Sequence, residues 1–415
     1  MSTAGQFLSF FSQFLSPLPI QKESISASYF PAYVLTGYSL FPRNHSDLFI
    51  SDPTFAPVMN NPALPSSRPV AIWLLIGVGM LIVQILLGGI TRLTGSGLSI
   101  TEWNVITGAL PPLNEQHWIT EFEKYKQTPQ FHLLNFDFTL KDFKFIFFWE
   151  WFHRFWARLI GVVFAIPFVV FIIQKRFKQE MIRPLIILFL LGALQGAIGW
   201  IMVASGLTGD AVYVKPTRLA LHFVFALGLL SYTFWFALQL LLPGRAIVIN
   251  STQRKFTWSI LVLVFIQLIY GALMAGHKAA TAAPTWPDIN GTFIPPNMLA
   301  GPDGLLNILE NKITIHFIHR TVAYLILALI IVWTISVYRI KGSSFFNKVR
   351  PLPLTIVSLQ VLLGILSVVA SIHIVPNHWG VFEWMAQLHQ LVAMLLLLSL
   401  VLMLYVVRNK QTGNT

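Results

Sequence analysis

Four ionisable residues stand at the head of a long apolar run: Glu150, His153, Arg154 and Arg158, within WEWFHRFWARLIG at 149–161. On a helix Glu150, Arg154 and Arg158 share one stripe at four-residue spacing, and His153, three after Glu150, lies beside it. An acid, a base and an imidazole then face one place, an arrangement that suits proton transfer or ligation of a metal. Ionisable groups inside a membrane span are costly and point at a partner, a cavity or a cofactor. A related stretch recurs at 315–327, containing HFIHRTVAYLIL, where His319 and Arg320 repeat His153 and Arg154 and His316 stands in place of Glu150.

Two further histidines, His222 and His389, sit alone near the starts of other apolar runs. One alone would read as a hydrogen-bonded histidine between helices. The pairs His153 with His222 and His319 with His389 instead suggest two imidazoles from different helices facing each other across a macrocycle, the axial ligation of haem iron. Zinc fits less well, because neither pair brings a third and fourth ligand. Arg154 and Arg320 are candidate partners for haem propionates, with an intrahelical bridge to Glu150 as the other reading of Arg154. The asymmetry between Glu150 and His316 assigns acid/base chemistry on a substrate to the first half and a resident cofactor to the second. His316 shares a helix with His319, so it reads as a polar packing residue, and His277 reads as a loop histidine.

Helices must carry these residues. The chain of 415 residues is 55% hydrophobic and 11% charged, too apolar for a soluble globule. Runs long enough to cross a bilayer lie at 70–90, 145–173, 185–204, 219–242, 256–274, 313–337, 352–372 and 381–407. The net charge of +12 comes largely from bases between alternate spans: Lys175, Arg176, Lys178 and Arg183; Arg245, Arg254 and Lys255; Arg339, Lys341, Lys348 and Arg350; and Arg408 and Lys410 after the last. The positive-inside rule places these loops, and both ends of the core, on the cytoplasmic or matrix side. No cysteine is present, which excludes disulfides, thiolate ligands and iron–sulfur clusters. Residues 1–69 lack the basic start of a signal peptide and the arginines of a presequence, so 1–58 is expected to be a disordered extension or the product of an upstream start.

The core reads as a duplication. Gly88, Trp103, Gly108 and Pro112 match Gly271, Trp286, Gly291 and Pro295 at a shift of 183. His153 and Arg154 match His319 and Arg320 at 166, Gln195 and Gly199 match Gln360 and Gly364 at 165, and His222 matches His389 at 167. The expected fold is an all-α integral membrane protein of eight transmembrane helices in two pseudo-symmetric four-helix bundles. The first bundle spans 70–242 with a substrate site, the second 256–407 with a resident-cofactor site, and 408–415 is a tail. The outer connection at 88–112, rich in Gly, Ser and Thr, is a candidate cap over the first site, and the polar stretch at 114–144 is an insertion in the first copy.

The stretch GGITRLTGSGLSITEW, the later GALPP, the E-x-x-H-R run at Glu150–Arg154, the pair His319–Arg320 and the lone histidines His222 and His389 resemble the haem A synthase family. The resemblance covers about 68 to 407. It implies haem b held by His319 and His389, substrate haem O near His153 and His222, a catalytic role for Glu150, and stepwise oxidation of a ring methyl to a formyl group to make haem A for terminal oxidases. The implied surroundings are a lipid bilayer, the haem O synthase (a farnesyltransferase) and oxidase assembly factors, in the bacterial inner membrane or the mitochondrial inner membrane of a eukaryote. Oligomerisation is left open and no nucleic acid is expected. The missing cysteines and the long first outer loop are similar to the mitochondrial and Gram-negative branch, and the loop AGHKAATAAPTWPDINGTFIPP departs from the family pattern. Two other classes stay open on the residues alone: a di-haem b cytochrome for quinone-linked electron transfer, and a non-catalytic haem carrier.

Overall fold

The computed structural model describes residues 68–102, 107–296, 298–300, 304–375 and 378–409. The N-terminal extension, apart from Arg68 and Pro69, lies outside these residues, as do Trp103 and the tail beyond 409. Eight helices among the described residues are long and apolar enough to cross a membrane. We label them α1 (Arg68–Leu93), α2 (Leu140–Ile173), α3 (Gln179–Ala204), α4 (Pro216–Leu241), α5 (Ser251–Gly276), α6 (Lys312–Tyr338), α7 (Leu352–Ala370) and α8 (Val381–Val406). The protein is an all-α integral membrane protein. Helix is what such a sequence must form, because hydrocarbon offers backbone N–H and C=O groups no partner but one another.

Polar residues fix where the helices begin. Thr139 and Asp142 close a capping box that starts α2 five residues before the apolar run. Asn250 accepts from the Gln253 amide at the head of α5, and Asn311 from the Ile313 and Thr314 amides at the head of α6. Pro216 takes the first turn of α4, where its missing N–H costs nothing. At 34 residues α2 runs roughly 50 Å, well beyond the hydrocarbon thickness. Its first turns carry the insertion at 114–144, which folds as two short helices, Glu115–Lys126 and Pro129–Leu134. Phe122 and Tyr125 of the first pack on Phe143, Ile146 and Phe147 of α2, so the polar stretch has an apolar face after all.

Helices α1, α4, α5 and α8 form the middle of the molecule: α1 packs on α4 and α8, α5 on α4 and α8, and α4 meets α8. Hairpin partners α1 with α2, α3 with α4, α5 with α6 and α7 with α8 pack side by side. Polar side chains join the two halves across this middle. Gln387 and Gln390 of α8 donate to the carbonyls of Leu86 and Ile85 in α1, at 2.9 and 2.8 Å, and Arg92 donates to the Ala275 carbonyl of α5. Gly89 admits both glutamines, since a Cβ there would stand 2.6 Å from each side-chain oxygen. At the far end, strands Val248–Ile249 and Val407–Arg408 pair in parallel and tie the α4–α5 connection to the end of α8.

Candidate functional site

The even-numbered helices carry the histidines, one each in α2, α4 and α8 and two, His316 and His319, in α6. His222, His319 and His389 lie about two turns into α4, α6 and α8, and His153 lies further along the extended α2. All four line one cavity of about 2440 Å³, mostly apolar in its walls, together with Glu150, Arg154, His316 and Arg320. The structure thus brings together every residue singled out from the sequence except His277, whose Nε2 is bonded to the Leu309 carbonyl at 2.8 Å. The rings of His319 and His389 stand 6.3 Å apart, centre to centre, at 67°. A metal–imidazole bond of about 2 Å, with about 1 Å more from nitrogen to ring centre, puts two imidazoles on opposite sides of one metal at roughly 6 Å. The second pair therefore has the spacing of two axial ligands. His153 and His222 line the same cavity without a ring contact of this kind among the described residues.

Each histidine faces a glycine of its hairpin partner. A Cβ added at Gly88 would stand 3.3 Å from His153, at Gly199 2.8 Å from His222, at Gly271 3.4 Å from His319, and at Gly364 3.0 Å from His389. One turn before each glycine is a glutamine whose side-chain amide reaches the same histidine. Gln84 donates to the His153 carbonyl at 3.2 Å, Gln195 to the His222 carbonyl and Nδ1, both at 3.1 Å, and Gln267 to the His319 carbonyl at 3.0 Å and Nδ1 at 3.1 Å. Gln360 meets His389 Nε2 at 3.1 Å. The pattern Q-x-x-x-G thus occurs once in each odd-numbered helix, at 84–88, 195–199, 267–271 and 360–364. Its repetition was the signal available in the sequence, where Gln195 and Gln360 served only as markers of the duplication and Gln84 and Gln267 were passed over.

The two arginines hold the α1–α2 and α5–α6 loops. Arg154 donates to the carbonyls of Ile100 and Glu102 at 3.2 and 3.1 Å, and Arg320 to those of Ala283 and Thr285 at 3.3 and 2.6 Å. These are the same two positions at the shift of 183. Arg320 adds the Asp288 carbonyl at 2.7 Å. The Asp288 carboxyl is itself held below its usual range by the Gly291 backbone N–H and the Thr285 hydroxyl. The intrahelical bridge from Arg154 to Glu150 is present at 2.6 Å.

Glu150 differs from its counterpart in how it is satisfied. It is 3% exposed, and besides Arg154 it accepts from the Ser99 hydroxyl at 2.7 Å and the Ile100 backbone N–H at 2.9 Å. His316, fully buried, has no hydrogen-bond partner for either ring nitrogen. The α1–α2 loop is therefore fastened to α2 through a carboxylate as well as an arginine, whereas the α5–α6 loop is fastened to α6 through Arg320, the Thr314 hydroxyl on the Met298 carbonyl, and the Tyr324 hydroxyl, which accepts from the Trp286 indole.

The family described as cytochrome oxidase assembly protein (COX15-CtaA) matches residues 71–401, the whole helical core. The chain belongs to this family. Among its curated relatives is a protein named Heme A synthase from Flavobacterium psychrophilum, 39% identical over 338 residues that cover 80% of this chain and 96% of that protein. Proteins of the same name from Parvibaculum lavamentivorans and Cereibacter sphaeroides are 45% and 38% identical, over 63% and 78% of this chain and 75% and 87% of their own lengths. In this family member the matched region contains all four histidines, both loop-clasping arginines and Glu150.

Proposed function

We propose that the protein is a haem A synthase, an oxidoreductase that converts a ring methyl of haem O to a formyl group. The observation that carries this reading is the unequal equipment of two otherwise alike halves. Both present a pair of histidines to one cavity, and only the first sets a buried carboxylate, Glu150, one turn before its first histidine, where the second has His316; the second half's buried carboxylate, Glu383, instead accepts from the Gly380 backbone N–H at the head of α8. His319 and His389, with ring centres 6.3 Å apart, would hold a resident haem b, and His153 and His222 would bind the substrate haem O. The glycine cradles support imidazole ligands, since a side chain at Gly88, Gly199 or Gly364 would press on the ring and one at Gly271 would just touch it. A bound haem supplies the redox chemistry that the side chains, without cysteine, lack.

The protein's own residues orient the substrate and move protons. Glu150, with three donors around it, is acceptor-only as a carboxylate, so its role is to take a proton released from the methyl carbon under oxidation. Arg154 and Arg320 keep the outer loops closed over the two sites and supply positive charge for haem propionates. Residues Gly95, Gly97 and Leu98 of the first loop line the cavity, which makes that loop part of the substrate site. The work is done in an inner membrane, beside the haem O synthase that makes the substrate and the oxidase assembly factors that take the product.

The likeness of the two histidine pairs also suits a di-haem cytochrome. The two readings separate when protein expressed with and without a supply of haem O is purified and every extracted haem is identified by mass. Haem A or a hydroxylated intermediate beside haem b is the expected result. Haem b alone under both conditions, at about two per chain, would overturn the synthase reading. His319→Ala and His389→Ala should each lose the resident haem b, and an unchanged haem b spectrum would refute their role.

A further inference from the structure

We propose that Gln195, Gln267 and Gln360 are positioning residues that set the orientation and tautomer of the histidines they touch. The proposal rests on the reading of those histidines as haem ligands. A glutamine buried between membrane helices is an expense unless its amide finds partners. Here the partner is the same in kind each time, a histidine one helix away, with a glycine one turn further along making room for its ring.

The chemistry of the amide explains the choice. An imidazole that ligates a metal gives its lone-pair nitrogen to the metal and carries a proton on the other, so it needs an acceptor there to fix the ring. A glutamine side chain offers both ends: its NH₂ serves a nitrogen with a lone pair, and its oxygen serves a nitrogen with a proton. In this structure the NH₂ end is engaged. Gln195 and Gln267 each donate to Nδ1 of their histidine as well as to its carbonyl, and the Gln267 amide also lies 3.3 Å from His319 Nε2. The Oε1 atoms of Gln195, Gln267 and Gln360 are buried and have no hydrogen-bond partner. Gln84 Oε1 is stranded in the same way, so acceptors at all four equivalent places carry an unpaired cost that an imidazole N–H would relieve.

His389 shows the tautomer directly. Its Nδ1 lies 3.1 Å from the backbone carbonyl of Gln360, which can only accept, so the proton sits on Nδ1 and the lone pair on Nε2. The amide of Gln360 lies 3.1 Å from that Nε2, the nitrogen whose lone pair would bind a metal. The backbone of Gln360 thus chooses the nitrogen, and its side chain holds the place. Gln84 provides the contrast, because it bonds only the backbone carbonyl of His153 and leaves the ring alone.

The test is made on the full-length protein with its resident haem, read by the low-spin electron paramagnetic resonance signal, the midpoint potential and haem retention. Gln267→Leu should weaken haem b retention about 10- to 100-fold, the usual cost of losing a partner behind a metal ligand, and shift the resonance. Gln267→Glu keeps the volume and offers the ring a stronger acceptor, so its potential should move below that of wild type while the Leu variant moves above. A structural loss would not reverse sign between the two. Gln84→Leu should leave the haem b signal unchanged. Wild-type resonance and potential in Gln267→Leu would overturn the assignment, and so would an unshifted potential in Gln267→Glu if the Leu variant is not recovered folded. A wild-type protein with no bis-imidazole haem signal would instead sink the haem reading itself.

Discussion

Glu150 fastens the first outer loop and is also the proposed base, and substitution can separate the two roles. Glu150→Ala strips the acceptor from Arg154, the Ser99 hydroxyl and the Ile100 amide, all on a carboxylate that is 3% exposed. Breaking a buried pair by removing one partner costs about 3–5 kcal/mol. Glu150→Gln keeps the volume and one carbonyl acceptor and loses the charge, so the loss falls to about 1.5–3 kcal/mol, the worth of a hydrogen bond to a charged group. Thermal unfolding in detergent, followed by tryptophan fluorescence, should therefore rank wild type above Gln above Ala. Activity should not follow that ranking. A positioned base contributes roughly 100- to 10,000-fold, so Glu150→Gln should lose conversion of haem O by about that factor although its loop stays fastened. The assay is conversion in membranes supplied with haem O, with resident haem b measured in the same samples. Conversion by Glu150→Gln within a few-fold of wild type would refute the base assignment and leave Glu150 a fastening alone.

Two further outcomes follow from packing and burial. Gly364→Ala puts a Cβ 3.0 Å from the His389 ring, whereas Gly271→Ala puts one 3.4 Å from His319, so the first should weaken haem b retention and the second leave it nearly intact. Overpacking of this kind costs about 1–3 kcal/mol, and equal retention in the two variants would show that the cradles do not set the ring positions. Burial pushes the Tyr125 phenol up to about 12, against a smaller downward pull from Asn135. A folded value above the unfolded one means that the stabilisation is fully present below about pH 10 and is lost as pH rises through the folded value. The phenolate absorbance missing from Tyr125→Phe should accordingly appear only near pH 12, and its appearance near pH 10 would contradict the burial.

The eight spans were legible because hydrocarbon imposes one rule, a long apolar run with its backbone bonded internally, and that rule is written in composition. The histidines, arginines and Glu150 were legible for the converse reason: a polar group in such a run needs a purpose. Their pairing followed from the duplication. The helical insertion at 114–144 was hidden because its apolar face is built from single residues, Trp118, Phe122, Tyr125, Phe131 and Phe138, scattered through a polar stretch.

What the chain alone determined is which residues stand in the membrane and in what repeated order. Only the tertiary structure decided whom they meet. Sequence spacing along α2 predicts that Glu150 can bridge Arg154, and it cannot reveal that Ser99 and Ile100, some fifty positions earlier, complete the carboxylate's shell. The propionate expectation for Arg320 likewise could not foresee three loop carbonyls. Nor could spacing join Gln267 to His319, 52 residues apart on two helices. Contacts within a helix are fixed by its pitch, whereas contacts between helices depend on loop lengths and on the glycines that let the helices approach.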